Sequence, residues 1–240
     1  MVSTDRLRFQ KGACVLLLLS FSTLQAQYIE RLETEPREAR YISAGVMMRD
    51  FAPLPSNALP DSLRIRYKAL MPMIGFRQGP VEFLFGYTSY DHLGGSRTSI
   101  FFGTTISSEL PLTGRGPGGL TLPVLLAADY TKSETGGPQK RDFNIGSVGV
   151  GMGLKYRHMS RTIDFQLHGE AIAHLSFEGY SGRTGFSAAA IGEAAFMLKN
   201  VLVLDGIVLG YRFRYQRWAM GDDEFNYRAI THGPFLGVML

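Results

Sequence analysis

The stretch Asn144–Tyr156, NIGSVGVGMGLKY, decides how the chain is read. Val148, Val150, Met152, Leu154 and Tyr156 fall on one parity, and Ser147, Gly149, Gly151, Gly153 and Lys155 on the other. Successive side chains of an extended strand point to opposite faces, so a period of two marks a strand with one bulky apolar face and one small or polar face. Flanking segments repeat the pattern. Ile163, Phe165 and Leu167 alternate with Asp164, Gln166 and His168, and Tyr211, Phe213 and Tyr215 alternate with Arg212, Arg214 and Gln216. Val81, Phe83, Phe85 and Tyr87 alternate with Glu82, Gly86 and Thr88, and Leu63, Ile65 and Tyr67 with Arg64, Arg66 and Lys68.

Working outward, about ten strands are expected, at roughly 41–51, 62–76, 81–91, 97–107, 120–131, 143–156, 161–175, 184–198, 201–216 and 225–240. Short connections (Gln78 to Pro80, Arg157 to Ser160, Lys199-Asn200) alternate with mostly longer polar ones, except that Ser108 to Gly119 is long where a short turn is due. Pro72 and Pro123 lie inside strands, where each is expected to mark a bulge or an early strand end, because proline has no N–H for the ladder. The composition agrees with β-structure: 45% hydrophobic and 19% charged residues exclude a disordered chain, and 28 Gly would be costly in a helical bundle.

The first 26 residues read as a cleavable secretion signal. Arg6, Arg8 and Lys11 precede a short apolar core, Ala13 to Phe21, and cleavage after Ala26 is expected. The core is too short for a membrane helix, which needs ~20 residues. Cys14 lies at the front of that core, not behind it as a lipidated cysteine would, so the processed chain is expected to carry no cysteine and no lipid. Processing lowers the formal charge from +4 to +2, with 22 basic against 20 acidic residues. No basic run remains, which sets nucleic acid aside as a partner. Residues 27–40 are densely charged and read as a periplasmic segment before a barrel at 41–240.

Several features favour a membrane barrel over a soluble one. Strands of up to ~13–16 residues exceed the ~5–6 common in globular sheets and suit a tilted crossing. Small and polar residues on one face leave room for side chains in a narrow lumen, bulky residues on the other suit lipid, and closure satisfies every backbone group. On the signal, the alternating strands, the rhythm of connections and the apolar terminal strand Gly233 to Leu240, the chain resembles the small outer-membrane β-barrel proteins. The resemblance implies an all-β fold, a closed antiparallel transmembrane β-barrel of about ten strands in a bacterial outer membrane. It also implies contact with outer-membrane lipids and with the assembly machinery, which reads such a terminal strand. This one ends in Leu240 rather than an aromatic.

A lumenal charge network is the candidate site. Asp164, His168, Glu170 and His174 share one face of the seventh strand, and in a ten-stranded barrel that strand lies opposite the second, with Arg64, Arg66 and Lys68. Ionisable groups in such an interior pair with one another, which favours a filling ion-pair network over a metal site or catalysis. Arg212 and Arg214, with Arg228, suggest an anion constriction or pairing with Asp164, Glu170 or Glu193. Tyr67, Phe85, Tyr87, Tyr130, Tyr211, Phe213, Tyr215 and Trp218 are expected in interfacial girdles. Asp91-His92 with Ser96 is a weak catalytic cluster, Asp222 to Glu224 read as a solvated acidic turn, and Gly114 to Gly119 lack the Lys-Ser/Thr of a phosphate loop. The expected function is non-enzymatic, a structural, surface-interaction or narrow-pore role in a monomer without cofactor or metal. The rivals are a membrane-embedded hydrolase or acyltransferase, and a secreted soluble β-sandwich or lipocalin-like binder.

Overall fold

The computed structural model describes residues 40–113, 118–135, 142–179, 182–201, 204–221 and 223–240. The expected signal, the charged segment before Arg40, Gly114 to Gly116 and Asp222 lie outside the described residues. Ten strands follow one another: β1 Arg40–Pro53, β2 Tyr67–Gln78, β3 Val81–His92, β4 Gly95–Pro111, β5 Gly118–Ser133, β6 Phe143–His158, β7 Ile163–Glu178, β8 Thr184–Val201, β9 Leu204–Met220 and β10 Tyr227–Met239. Each pairs antiparallel with its sequence neighbours, and β1 pairs with β10 from Tyr41–Met239 to Pro53–Tyr227, closing the ring. The expected fold class and strand number hold. Among the described residues no helix is long and apolar enough to cross a membrane.

Two connections differ from expectation. The second strand starts at Tyr67, because Asp61–Leu63 form a 3-10 turn after Pro60 and Arg64 holds the loop together. Its guanidinium donates to the carbonyls of Leu59 (2.7 Å) and Asn57 (2.9 Å) and to Asp61 (2.7 Å). Both ends of the long Gly/Pro connection, residues 108–111 and 118–119, are strand. β4 runs to Pro111, β5 starts at Gly118, and the N–H of Leu112 donates to the carbonyl of Leu120 (2.9 Å).

The two faces of β6 follow the sequence parity. Val150 and Met152 are each 61% exposed on the outer wall, while Ser147, Gly149, Gly151 and Gly153 line the inside. The glycines let β6 lie against β7. A Cβ on Gly151 would sit 2.5 Å from the carbonyl oxygen of Ala171, and one on Gly153 would run into that of Gly169. These obstacles are backbone and cannot swing away. Gly153→Ala is therefore expected to cost about 1–3 kcal/mol through overpacking, read as a lower denaturant midpoint for the refolded barrel.

The prolines act differently from each other. β1 pairs with β2 through Val46–Pro72, but the β2–β3 ladder stops one residue short, at Met73–Gly86. Beyond it, the Thr88 hydroxyl donates to the carbonyl of Leu70 (2.7 Å), a side-chain substitute for a lost rung. Pro72 thus ends only the ladder to β3, and not the strand as expected, since β2 runs on to Tyr67 in register with β1. Pro123 is neither bulge nor end: Leu122 and Pro123 drop out of the β5–β6 ladder, which resumes in the same register between Thr121–Lys155 and Val124–Met152.

The core of this fold is the lumen. At the loop end Phe51, Tyr67, Tyr90, Phe143, Trp218 and Tyr227 pack together with Phe225, which follows from the second 3-10 turn, Asp223–Phe225. Tyr67 and Tyr90 stack at 3.9 Å between centroids, and Phe51 and Tyr227 at 5.0 Å. Tyr41, Met47, Met71, Met73, Phe101 and Phe235 form a second cluster. Tyr67 and Trp218 therefore leave the expected girdles and cap the interior, whereas Phe85, Tyr87, Tyr211 and Phe213 face outward as expected.

Candidate functional site

β7 presents Asp164, Gln166, His168 and His174 inward, all buried, and Ile163 and Leu167 outward. The inward residues do not form one site. Asp164 belongs to the turn end, where it receives Lys199 (2.7 Å), Arg157 (3.5 Å) and the N–H of Ser160 (3.1 Å). His168 Nδ1 is paired with the Gln166 amide (3.1 Å), and its Nε2 lies 4.0 Å from Glu170. His174 Nε2 is 3.0 Å from Asp129 Oδ2 but outside hydrogen-bond alignment.

Arg212 and Arg214 are also inside, and each organises a cluster. Arg212 donates through Nε to Glu193 (2.7 Å) and through Nη2 to Glu82 (2.5 Å), and it packs over the Phe235 ring. Arg77 closes the quartet at 3.2 Å from Glu82 and 3.4 Å from Glu193. Two guanidinium and two carboxylate groups from β2, β3, β8 and β9 thus neutralise one another. Arg214 donates to Asp129 (2.5 Å) and Gln216 (3.2 Å). Lys155 pairs with Glu109, which also accepts the Thr121 hydroxyl (3.0 Å). Arg49 is held by neutral groups, the hydroxyls of Tyr67 (3.2 Å) and Thr231 (3.1 Å) and the Phe51 and Phe101 rings.

The expected partners from the second strand are elsewhere. Arg64 clamps the loop, and Arg66 and Lys68 are exposed on the outer wall, because Ile65 and Tyr67 turn inward. Alternation fixes the period of a strand but not which parity faces in, and here aromatic capping decided the sign. Arg228 likewise points outward, so it forms no constriction with Arg212 and Arg214. Arg77, Asp129 and Arg49 were missed. Glu82 stood on the polar parity of β3 without being singled out, and Glu193 was among the foreseen partners of Arg212.

An apolar outer wall, a charge-bearing interior and a closed ring now stand together. This is a transmembrane β-barrel. No protein-family model matches the chain, and no curated protein matches it. Solved structures give only distant likeness. Neisserial surface protein A is 13% identical, with 86% of this chain and 100% of that one covered, at a TM-score of 0.36. The outer membrane protease OmpT from Escherichia coli is 8% identical, covering 86% and 98%, also at 0.36. The toluene transporter TbuX of Ralstonia pickettii is 9% identical, covering 84% and 88%, at 0.29. Likeness of this degree carries no argument about activity, and the fold rests on the barrel's own strand order and faces.

The charge network suits filling more than chemistry. Burying an ion costs several kcal/mol, offset here by close opposite charges. In the barrel's β3–β4 hairpin Asp91 opposes Ser96 while His92 takes the other parity, so the three do not converge. Ser147, Ser176 and Ser187 are buried and hydrogen-bonded mainly to one another (2.8 and 2.9 Å). Among the described residues no three His, Cys, Asp or Glu side chains gather as a metal set. Asp223 is used by its own turn, accepting the Asn226 amide (2.7 Å). Beyond the end of β5, hydrogen bonds from Thr98 and Lys132 hold the Glu134 carboxyl below the usual carboxylate range.

Proposed function

We propose that the protein is a non-enzymatic barrel of a bacterial outer membrane that acts through its wall and loop-end surface, not as an open pore. The observation that carries this reading is the filled interior. The aromatic group around Phe51, Phe143 and Trp218 closes the loop end, and the Arg77–Glu82–Glu193–Arg212 quartet spans the lumen below it. Eight strands give an interior that side chains fill and sixteen leave a channel, and ten lies near the filled limit. Closure leaves no free strand edge for pairing with a second copy, which supports the reading of a monomer among outer-membrane lipids. The longer connections, which include Leu54 to Arg66, face the exterior and the short turns the periplasm.

Conductance tests the reading. Purified, refolded protein in planar bilayers is expected to give small steps or none. Large, stable, porin-like steps would show a continuous aqueous path and overturn it.

A further inference from the structure

On the outer wall, β9 and β10 form a ladder that runs from Ile207–Val238 to Tyr215–Ile230, apolar except for His232, which is hydrogen-bonded to the Tyr211 hydroxyl (2.6 Å), and then meets Arg217 directly opposite Arg228. The nine residues from Ile207 to Tyr215 match the ~9–11 that carry a tilted strand through hydrocarbon, which sets the two arginines at the headgroup level of the loop-end leaflet. Arg228 is in register with Ala52 of β1. Across β1, Arg66 comes just before the Phe51–Tyr67 rung and Lys68 opposes Asp50. All four basic side chains are exposed, and among the described residues none lies in an ion pair. Like charges directly opposite in a ladder repel. Asp50 offsets one of the four charges at most, so among the described residues three guanidinium groups have no ion-pair partner.

We infer that Arg217 and Arg228, flanked by Arg66 and Lys68, form an external site for the phosphate groups of anionic lipid headgroups. The planar forks of two neighbouring arginines take phosphate oxygens in pairs, which a single ammonium cannot do. The site rests on the membrane-barrel reading above. It gives the wall a lipid preference that the lumenal quartet, neutral in itself, does not supply.

The test uses the full chain refolded into vesicles of phosphatidylcholine, alone or mixed with phosphatidylglycerol, and extracted for native mass spectrometry of retained lipid. The parent is expected to retain phosphatidylglycerol over phosphatidylcholine, and Arg217→Gln/Arg228→Gln to lose that preference by on the order of tenfold. Arg228→Gln alone is expected to lose part of it, should the double variant fail to fold. Arg161→Gln, in the turn at the other end, should lose none. No preference in the parent, or an undiminished one in Arg228→Gln, overturns the site. Full displacement of the lipid by inorganic phosphate at equal concentration would show that the arginines take free phosphate, and would overturn the lipid assignment, whereas persistence of the lipid supports it. Failure to insert even into phosphatidylcholine would overturn the barrel reading itself, a different result from insertion without preference.

Discussion

Glu193→Ala is expected to lower the unfolding free energy of the barrel by about 3–5 kcal/mol, the cost of leaving a buried charge without its partner. Glu193 is fully buried and serves two cations, Arg212 and Arg77, so the alanine leaves Glu82 alone to balance both. Replacing Glu193 and Arg212 together with leucine and methionine should recover much of the loss, since Arg77 and Glu82 remain 3.2 Å apart and neutral as a pair. Denaturant titration of refolded protein in vesicles would check both. A loss under about 1 kcal/mol for the single variant, in the range of exposed pairs, would mean that water reaches the quartet and that the interior is open there.

Val150→Arg tests the opposite face. Val150 lies in the middle of the outward row of β6, between Leu126 of β5 and Ala173 of β7. An arginine at the midplane of a barrel's lipid face costs about 2–4 kcal/mol, falling to about 0–1 near the interface. Tyr156→Arg, on the same row two residues from the end of β6, should therefore cost far less. The gradient with depth is the signature of lipid. Equal losses at both positions would mean that the row is buried in protein, as in a soluble sandwich.

How far the sequence could be read depended on where charges stood in each strand. β7 and β9 were legible because Asp164 and His168, or Arg212 and Arg214, alternate with large apolar residues, which fixes both the period and the inward parity. β2 was legible in period only. Its tyrosine turns in to cap the lumen and its lysine turns out to the rim, the reverse of the commoner arrangement. Asp129 sits between Ala128 and Tyr130, a context with no contrast to betray it, and its partner Arg214 is 85 residues away. Arg212 reaches Glu82 across 130 residues. Such pairs cross the lumen, so they depend on closure and on which strands face one another, which local periodicity does not encode. The missing rungs at Pro123 were invisible for a related reason: a proline announces a lost donor, but the strands on either side decide whether the register survives.

Closure through β1 and β10 also governs how this protein reaches its native state. Tyr41 meets Met239, so the contact that completes the sheet joins nearly opposite ends of the described chain. Hairpins between sequence neighbours can zip early, but this last pairing carries the highest contact order in the molecule and the largest loop-closure entropy. Until it forms, any growing intermediate is a curved ribbon with two bare edges, and lipid offers those backbone groups no water to bond. The interior is equally late, because the Phe235 ring beneath Arg212 and the Tyr227 ring against Phe51 arrive only with the final strand. Closure and the lumen packing that Phe235 and Tyr227 supply are therefore expected to form together, late in folding.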